Sequence, residues 1–307
     1  MARLDGKVAI VTGGGGLLGA AFSEALAREG AAVLVNDLDG DRAARVVERV
    51  TTSGGRATAC VGSVDSWANG ETIVTAAVEA FGRVDCLVNG AHAYATAPIA
   101  EMQEDVFRRT IESHVTGHFA CTHYAVRQML AQGEGGSVVN LLSRAMQGLR
   151  TFSAYGAAKG AILAATYSWA LELARDGIRV NALSPAARRR EPGEAVSLRM
   201  PWRREAGQTR ADMQAATPTP ESVAPMVVYL ASNASDWVSG QAFFLAGDSL
   251  ALIDRPAEAR FAFRPEGWSV DDLEHHVRHV LGPGMAHPSM QAAPYAWHAG
   301  VGKEGST

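Results

Sequence analysis

A tyrosine and a lysine four residues apart form a candidate acid–base pair in this chain. Tyr155 and Lys159 would lie on one face of a helix, about one turn from each other. A free phenol, with a pKa of ~10, is poorly matched to proton transfer at neutral pH, and a neighbouring cation lowers that pKa. Ser143, which follows the largely apolar run 137–142, would hydrogen-bond the same substrate oxygen. The three residues therefore indicate proton exchange with an alcohol or ketone, a reaction that also needs a hydride partner.

The start of the chain has the pattern of a dinucleotide site. Residues 8–11 form a continuous apolar run typical of a buried parallel strand, residues 12–19 are rich in glycine, and residues 20–29 have helical periodicity. Glycines let the backbone approach a pyrophosphate, to which the following helix offers unpaired N–H groups. Asp37 ends the next predicted strand, where a carboxylate binds ribose hydroxyls and repels a 2′-phosphate. NAD is therefore the predicted cofactor and NADP is less favoured, although Asp37 could instead only cap a helix near Asp41.

Taken together, these segments resemble the short-chain dehydrogenase/reductase family. The resemblance rests on the glycine loop, the serine, the YxxxK pair and the segment 178–185, and it covers roughly residues 5–250. It implies an α/β fold with a Rossmann-type doubly wound parallel sheet in residues 1–252. A substrate lid at about 188–217 and a C-terminal extension, residues 253–307, with one short helix and an irregular tail, complete the expected organisation. A homodimer or homotetramer is expected from the resemblance alone.

The resemblance also implies which residues bind the cofactor and the substrate. The predicted cofactor-binding residues are Gly13, Gly16, Leu17, Leu18, Gly19, Asp37, Leu38, Ser63, Val64, Asn89, Ala91, Tyr155, Lys159 and Pro185. Asn89 would in addition brace neighbouring strands. Arg144, Met146 and Phe152 would border the substrate, and the apolar character of their loop suggests a bulky apolar substrate.

The catalytic segment departs from the family pattern at two places. His114 stands where relatives have the asparagine that completes a tetrad with serine, tyrosine and lysine. It either keeps only the backbone role of that residue or relays a proton through its imidazole. Ser143 precedes Tyr155 by 12 residues instead of the usual 13, a spacing that would select Leu142. Alignment on Asn140 selects Ser143.

These observations predict an NAD-dependent oxidoreductase that interconverts a secondary alcohol and a ketone. The substrate would be steroid-, terpenoid- or polyketide-like, or a 3-hydroxyacyl thioester whose phosphates meet the arginines of residues 188–217. A second hypothesis is a protein of this fold with a non-redox activity, such as isomerisation or elimination, or a cofactor-binding partner subunit. It rests on altered motif positions, namely Leu17, Ser63, Gly90, His92, His114, Ala186 and Arg190. Retention of the serine, tyrosine and lysine favours catalysis.

Composition argues against several other classes of protein. The chain has 307 residues, a net charge of -4 and a pI near 6.1, which give no general attraction to nucleic acid or acidic membranes. No apolar run approaches the ~18 residues that span a bilayer, and no signal peptide is expected. Cys60, Cys86 and Cys121 lack CxxC spacing, which predicts reduced thiols and a cytoplasmic location. His114 and His118 share a helix face without a further ligand cluster nearby, so no metal is predicted.

Periodicity also predicts individual elements in the rest of the chain. Residues 101–132 have the length and pattern of one long helix. Residues 238–245 resemble the family's closing turn and last strand. Ser269 and Asp272 predict a helix start with a variant of the capping box.

Overall fold

A computed structural model describes residues 2–93, 96–187, 218–247, 249–265 and 267–281. The chain divides into two compact units, residues 1–190 with 218–253, and residues 191–217 with 254–307. The predicted lid and the tail after residue 281 lie outside the described residues. The predicted domain boundary at residue 252 stays a prediction.

Eight strands of the first unit form one sheet. They are β1 (Val8–Thr12), β2 (Ala32–Asp37), β3 (Arg56–Val61), β4 (Cys86–Asn89), β5 (Gly136–Leu141), β6 (Ile178–Pro185), β7 (Ala242–Ala246) and β8 (Ser249–Ile253). Their order is β3-β2-β1-β4-β5-β6-β7-β8. The order reverses beside β1, and open α/β sheets bind ligands at the carboxyl ends of the strands at such a point. This arrangement confirms the predicted α/β fold with a doubly wound sheet.

The predicted closing strand within residues 238–245 is present as β7, but the further strand β8 was not predicted. Strands β1 to β7 pair in parallel, whereas β8 pairs antiparallel to β7 after a tight turn in which Gly247 has a φ of 60°. β8 exposes Leu250 and Leu252. The strand therefore lacks the buried apolar run by which the central strands can be recognised in the sequence.

Helices connect the parallel strands. In the described part of the first unit they are α1 (Leu17–Arg28), α2 (Gly40–Thr52), α3 (Trp67–Phe81), α4 (Glu104–Ile111), α5 (Gly117–Gln132), α6 (Ser153–Glu172) and α7 (Pro220–Ala231). A π-helical turn, Glu112–Thr116, joins α4 to α5, so the predicted long helix is present from Glu104 onward. Of the first predicted residues, Glu101 ends a short 3-10 turn, Ile99–Glu101, and residues 102 and 103 are not helical.

The described residues of the second unit contain one α-helix, which a π-helical turn, Val277–Leu281, follows. This helix, α8 (Val270–His276), begins with the predicted capping box. The Ser269 hydroxyl accepts a hydrogen bond from the backbone N–H of Asp272 over 3.1 Å, and the Asp272 carboxylate accepts one from the backbone N–H of Ser269 over 3.1 Å. The two bonds satisfy groups that a helix start otherwise leaves unpaired.

Both faces of the sheet are covered, which explains the continuous apolar strands. Ala9 and Val11 pack with residues of α1, α2 and α7, whereas Ile10 packs with residues of α3 and α5. All of residues 8–11 are at most 1% exposed. In the described residues no helix has both the length and the apolar character needed to cross a membrane.

Close packing of α1 on the glycine loop leaves no room for a side chain at Gly19. A Cβ there would clash with the Gly13 carbonyl oxygen and lie 2.7 Å from the Gly14 Cα. We expect Gly19→Ala to lower the free energy of unfolding by about 2 kcal/mol, since backbone atoms must move. Gly160→Ala, on α6, should instead raise it by about 1 kcal/mol through helix propensity, because a Cβ there meets no described atom within 4 Å. Urea unfolding of both variants measures the difference, and effects of the same sign would contradict this account.

Candidate active site

Ser143 follows β5 at the carboxyl edge of the sheet. Its Oγ accepts a hydrogen bond from the Ala145 backbone N–H over 3.2 Å and caps the short turn Arg144–Gln147. Leu142, the other candidate by spacing, is 4% exposed and packs with Ile162 in the core. Ser143 is only half-buried. Leu142 is therefore a core residue and Ser143 is the more accessible of the two, while the catalytic role of Ser143 stays a prediction.

Helix α6 carries Tyr155 and Lys159 past this turn. The approach is close, since a Cβ at Gly156 would lie 2.6 Å from the Ala145 carbonyl oxygen. The Lys159 side chain is 2% exposed, and its Nζ donates a hydrogen bond to the Leu141 carbonyl oxygen over 2.7 Å. The same Nζ lies 5.7 Å from the centre of the Tyr155 ring. The fold thus brings the tyrosine and the lysine to the end of the strand that leads to the serine.

Burial changes the acid–base properties of this site. Desolvation lowers the pKa of Lys159 to about 7, because the surrounding protein disfavours the charged ammonium. Desolvation, followed by repulsion from the Lys159 charge, lowers the pKa of His114 to about 3. The His114 imidazole is therefore neutral at physiological pH, whereas Lys159 exchanges its proton near neutrality.

His114 lies in the π-helical turn and contacts the tyrosine. Its side chain is fully buried, and its ring packs edge-on against the Tyr155 ring with centres 5.1 Å apart. Its Nε2 lies 3.0 Å from the carbonyl oxygen of Ala93 and 3.3 Å from the backbone nitrogen of Ala93. The predicted tetrad position is thus adjacent to the predicted acid.

The predicted substrate residues take different positions around the turn after Ser143. The Phe152 ring lies 6.3 Å from the Tyr155 ring. The Arg144 guanidinium stacks on the Phe244 ring of β7 at 3.7 Å, and burial lowers the pKa of Arg144. Met146 packs against the core cluster around Leu142. Phe152 is therefore the predicted substrate residue that borders the tyrosine ring.

The glycine loop fits a dinucleotide pyrophosphate. Gly13 has a φ of 65°, in the left-handed region that favours glycine, and Gly16 is the N-cap of α1. The first turn of α1, which includes Leu17, Leu18 and Gly19, contains no acidic residue, and no described side chain caps it. Such a helix start presents backbone N–H groups and a partial positive charge, which suit an anion.

Asp37 closes the glycine loop. Its carboxylate accepts hydrogen bonds from the backbone N–H groups of Gly15, over 2.9 Å, and Asp39, over 3.0 Å. The alternative that Asp37 caps the following helix is wrong, because the Asp39 side chain caps α2. Arg42, the cation near this point, forms an ion pair with Asp39 over 3.1 Å. The adjacent Leu38 is 75% exposed.

The remaining predicted cofactor residues lie at the ends of β3, β4 and β6. Ser63 accepts a hydrogen bond from the Asp65 backbone N–H over 3.3 Å. The Val64 side chain is buried in the core. Pro185 ends β6. The Ala91 backbone N–H donates to the Thr12 hydroxyl over 3.2 Å.

The predicted bracing role of Asn89 is confirmed. Its Nδ2 donates to the Asn140 side-chain oxygen on β5 over 3.0 Å and to the Thr122 hydroxyl on α5 over 2.9 Å. Asn140 in turn donates to the Thr166 hydroxyl on α6 over 3.0 Å. This buried chain ties the strand ends to the two helices that flank the site.

Thr12 is a structural residue of the site that the sequence reasoning missed. Its hydroxyl accepts hydrogen bonds from the backbone N–H groups of both Gly90 and Ala91, and so joins the end of β1 to the loop after β4. A signal existed, since Thr12 is a polar residue at the end of a fully buried strand. Buried polar groups require partners, and such a residue predicts a contact at that edge of the sheet.

Comparisons with known proteins agree with this geometry. A family model described as enoyl-(acyl carrier protein) reductase matches residues 16–247. An uncharacterised oxidoreductase of Methylorubrum extorquens is 37% identical over 254 residues, which are 80% of this chain and 99% of the relative. Galactitol 2-dehydrogenase of Agrobacterium fabrum is 33% identical over 80% of this chain and 98% of that enzyme.

A solved structure extends the likeness to three dimensions. The crystal structure of a short chain dehydrogenase from Mycobacterium avium matches with a TM-score of 0.79 and 31% identity, covering 91% of this chain and 96% of that one. The chain belongs to the short-chain dehydrogenase/reductase family, whose members are oxidoreductases that act on alcohols and ketones with a nicotinamide cofactor.

Proposed function

We propose that the protein is an NAD-dependent dehydrogenase that interconverts a secondary alcohol and a ketone on a bulky apolar substrate. The observation that carries this proposal is the buried Lys159, hydrogen-bonded to the strand that leads to Ser143 and adjacent to the Tyr155 ring. Burying a cation costs free energy that hydrogen bonds offset only in part, so a buried lysine at this position supports a role in the chemistry. Beside a phenol, it supports proton transfer at neutral pH.

Each side chain has a distinct role in this proposal. Ser143 hydrogen-bonds the substrate oxygen and holds it near the phenol. Tyr155 gives its proton to that oxygen in reduction and receives one in oxidation, and Lys159 stabilises the phenolate form. The glycine loop and Asp37 hold the cofactor. Bound NAD supplies the hydride chemistry that these side chains lack.

The proposed substrate class rests on the surroundings of the tyrosine. Phe152 lies beside the Tyr155 ring, and Met146 contributes a half-buried thioether to the same loop. The galactitol dehydrogenase relative acts on a polyol, so polar substrates belong in the same experiment. Purified protein is titrated with NADH and then screened against ring ketones, 3-ketoacyl thioesters and polyols. Turnover only of polyols would overturn the apolar proposal, and failure to bind NADH would overturn the redox proposal.

Asp37 is proposed to select NAD over NADP. Arg42 is paired with Asp39, and no guanidinium of the described residues forms an ion pair with the Asp37 carboxylate, which would therefore repel a 2′-phosphate. We expect Asp37→Ser to weaken NADH binding by about 10-fold, because hydrogen bonds to a charged acceptor are lost. The affinity for NADPH should rise, because the carboxylate that repels its 2′-phosphate is gone. Fluorescence titration with both cofactors measures the change.

Asp41→Asn is the matched control for this change. It removes the same charge four residues away, at the start of α2, from an exposed position. We expect it to leave the ratio of NADH to NADPH affinity unchanged. An equal shift in both variants would mean that general charge, and not the contact of Asp37, sets the preference.

The assembly is proposed from the family, and the location from the spacing of the cysteines. We propose a homodimer or homotetramer in the cytoplasm. Helix α5 leaves Phe119 38% and Leu130 44% exposed, which supports a protein contact on that helix. Light scattering coupled to size-exclusion chromatography measures the mass in solution.

A further inference from the structure

Two buried histidines lie one helical turn apart behind the tyrosine. His114, in the π-helical turn, is fully buried, and His118, in α5, is 1% exposed, with ring centres 6.4 Å apart. Burial lowers the pKa of His118 well below its ordinary value, and the Lys159 charge lowers it further. Both rings are therefore neutral, with one donor and one acceptor nitrogen each.

The His114 ring has two different ends. Its Nε2 contacts the Ala93 backbone, at 3.0 Å from the carbonyl oxygen and 3.3 Å from the nitrogen. Its Nδ1 is buried without a hydrogen-bond partner among the described residues. One nitrogen of a neutral ring either donates or accepts, and the shorter contact to the carbonyl favours a proton on Nε2. Neither backbone group exchanges a proton near neutral pH, so in the described part of the chain Nε2 has no proton acceptor that would complete a relay through the ring.

The same contact fixes a loop that crosses the cofactor side of the sheet. Residues 90–93 are held at their start by Thr12, whose hydroxyl accepts from the N–H groups of Gly90 and Ala91. This start packs tightly on the glycine loop, since a Cβ at Gly13 would lie 2.8 Å from the Ala91 Cα. His114 holds the other end at Ala93. The loop thus connects the glycine loop to the ring that touches the tyrosine.

We propose that His114 is a positioning residue that fastens the loop 90–93 through a neutral imidazole protonated at Nε2. This inference rests on the proposed cofactor site, which that loop borders. The groups around the ring maintain the neutral form. Besides desolvation, these are Lys159 on α6 and His92 in the loop. Tyr155 on α6 and His118 on α5 are the other titratable groups whose rings contact the His114 ring. A second positive charge beside Lys159 would be repelled.

Nitrogen NMR of the protein without cofactor tests the tautomer directly. Histidine labelled with 15N distinguishes a protonated from an unprotonated ring nitrogen, and His114→Gln assigns the signal by its loss. We expect a protonated Nε2, a bare Nδ1 and no titration of this ring between pH 5.5 and about 9, given a pKa of about 3. A protonated Nδ1, or a ring that titrates near neutral pH, would overturn the proposal. This result is independent of whether the protein binds NADH.

Cofactor affinity tests the positioning role. His114→Phe keeps a ring against Tyr155 but cannot bind Ala93, and we expect the Kd for NADH to rise about 3- to 10-fold, as for one neutral hydrogen bond. His114→Gln restores a donor and should recover part of the affinity. His118→Phe makes the same exchange one turn away from Ala93 and should change the Kd less.

The possible results separate the two proposals. Equal NADH affinity in His114→Phe and the wild type would overturn the positioning role. If His114→Phe instead lowers only kcat, and the size of that loss depends on the pH of the assay, the result would indicate a proton relay through the ring. If the wild type does not bind NADH, the proposed function fails, and the NMR experiment alone decides how His114 holds Ala93.

Discussion

Replacing Tyr155 by phenylalanine is expected to reduce kcat by about 10²- to 10⁴-fold, the range that a positioned acid or base contributes. The change removes one hydroxyl and keeps the ring, so the edge contacts with His114 and Phe152 can remain. The affinity for NADH should change little, because the glycine loop and Asp37 are untouched. Steady-state rates of ketone reduction and fluorescence titration with NADH measure the two quantities separately.

Tyr124→Phe is the control for this experiment. Tyr124 lies on α5 and packs against Trp67 and His123, outside the group formed by Ser143, Tyr155 and Lys159. The same removal of a hydroxyl there should leave kcat unchanged. Ketone reduction that survives Tyr155→Phe at the wild-type rate would contradict the acid–base role of Tyr155 and show that another group supplies the proton.

Replacing Lys159 by methionine should have opposite effects on activity and on stability. Activity should fall by at least about 10²-fold, because the phenolate loses its neighbouring cation. The folded protein should become more stable at pH 7, because an ammonium that is 2% exposed is replaced by an apolar side chain of similar length. Rates and urea unfolding of the same preparation measure both effects.

The sign of the stability change depends on pH in a defined way. Burial lowers the pKa of Lys159 from 10.5 to about 7, so between these values the unfolded chain binds more protons than the folded one. The cost of burying the charge is complete below pH 7 and disappears as the pH rises toward 10.5. At about 1.4 kcal/mol for each pKa unit, less the hydrogen bond lost by Leu141, the variant should gain about 2–4 kcal/mol at pH 6 and little at pH 10.

Lys7→Met provides the comparison for both effects. Lys7 precedes β1 at the opposite end of the sheet, is 36% exposed and pairs with Asp85 over 3.1 Å. Its replacement should lower stability by less than about 1 kcal/mol and leave the rate unchanged. A Lys159→Met protein that is less stable than the wild type at pH 6 would show that the hydrogen bond to Leu141 outweighs the burial of the charge.

The sheet was predictable to the extent that its strands are buried on both faces. Residues 8–11 and 32–35 are continuous apolar runs because helices cover both sides of the sheet there. β8 was missed because it is not buried between two helical layers and leaves Leu250 and Leu252 exposed. The long helix was recognised from its period, whereas the π-helical turn at residues 112–116 changes that period by one residue and leaves little trace in composition.

The sequence by itself determined the family, the α/β fold and which residues are candidates for chemistry, because these follow from local spacing. Tyr155 and Lys159 share a face wherever their helix lies, and glycines between a strand and a helix predict a phosphate loop. Tertiary structure alone decided which polar atoms meet. The contact of Lys159 with Leu141 and that of His114 with Ala93 join residues 18 and 21 positions apart.

Such contacts depend on how closely two elements pack, and the spacing of apolar residues in the sequence does not predict that distance. The choice between Leu142 and Ser143 has the same origin. Spacing favours one residue and alignment the other, and burial of Leu142 against Ile162 settles which of them belongs to the core. Likewise, the lowered pKa of Lys159 arises only in the folded protein, because the fold excludes water from around the ammonium.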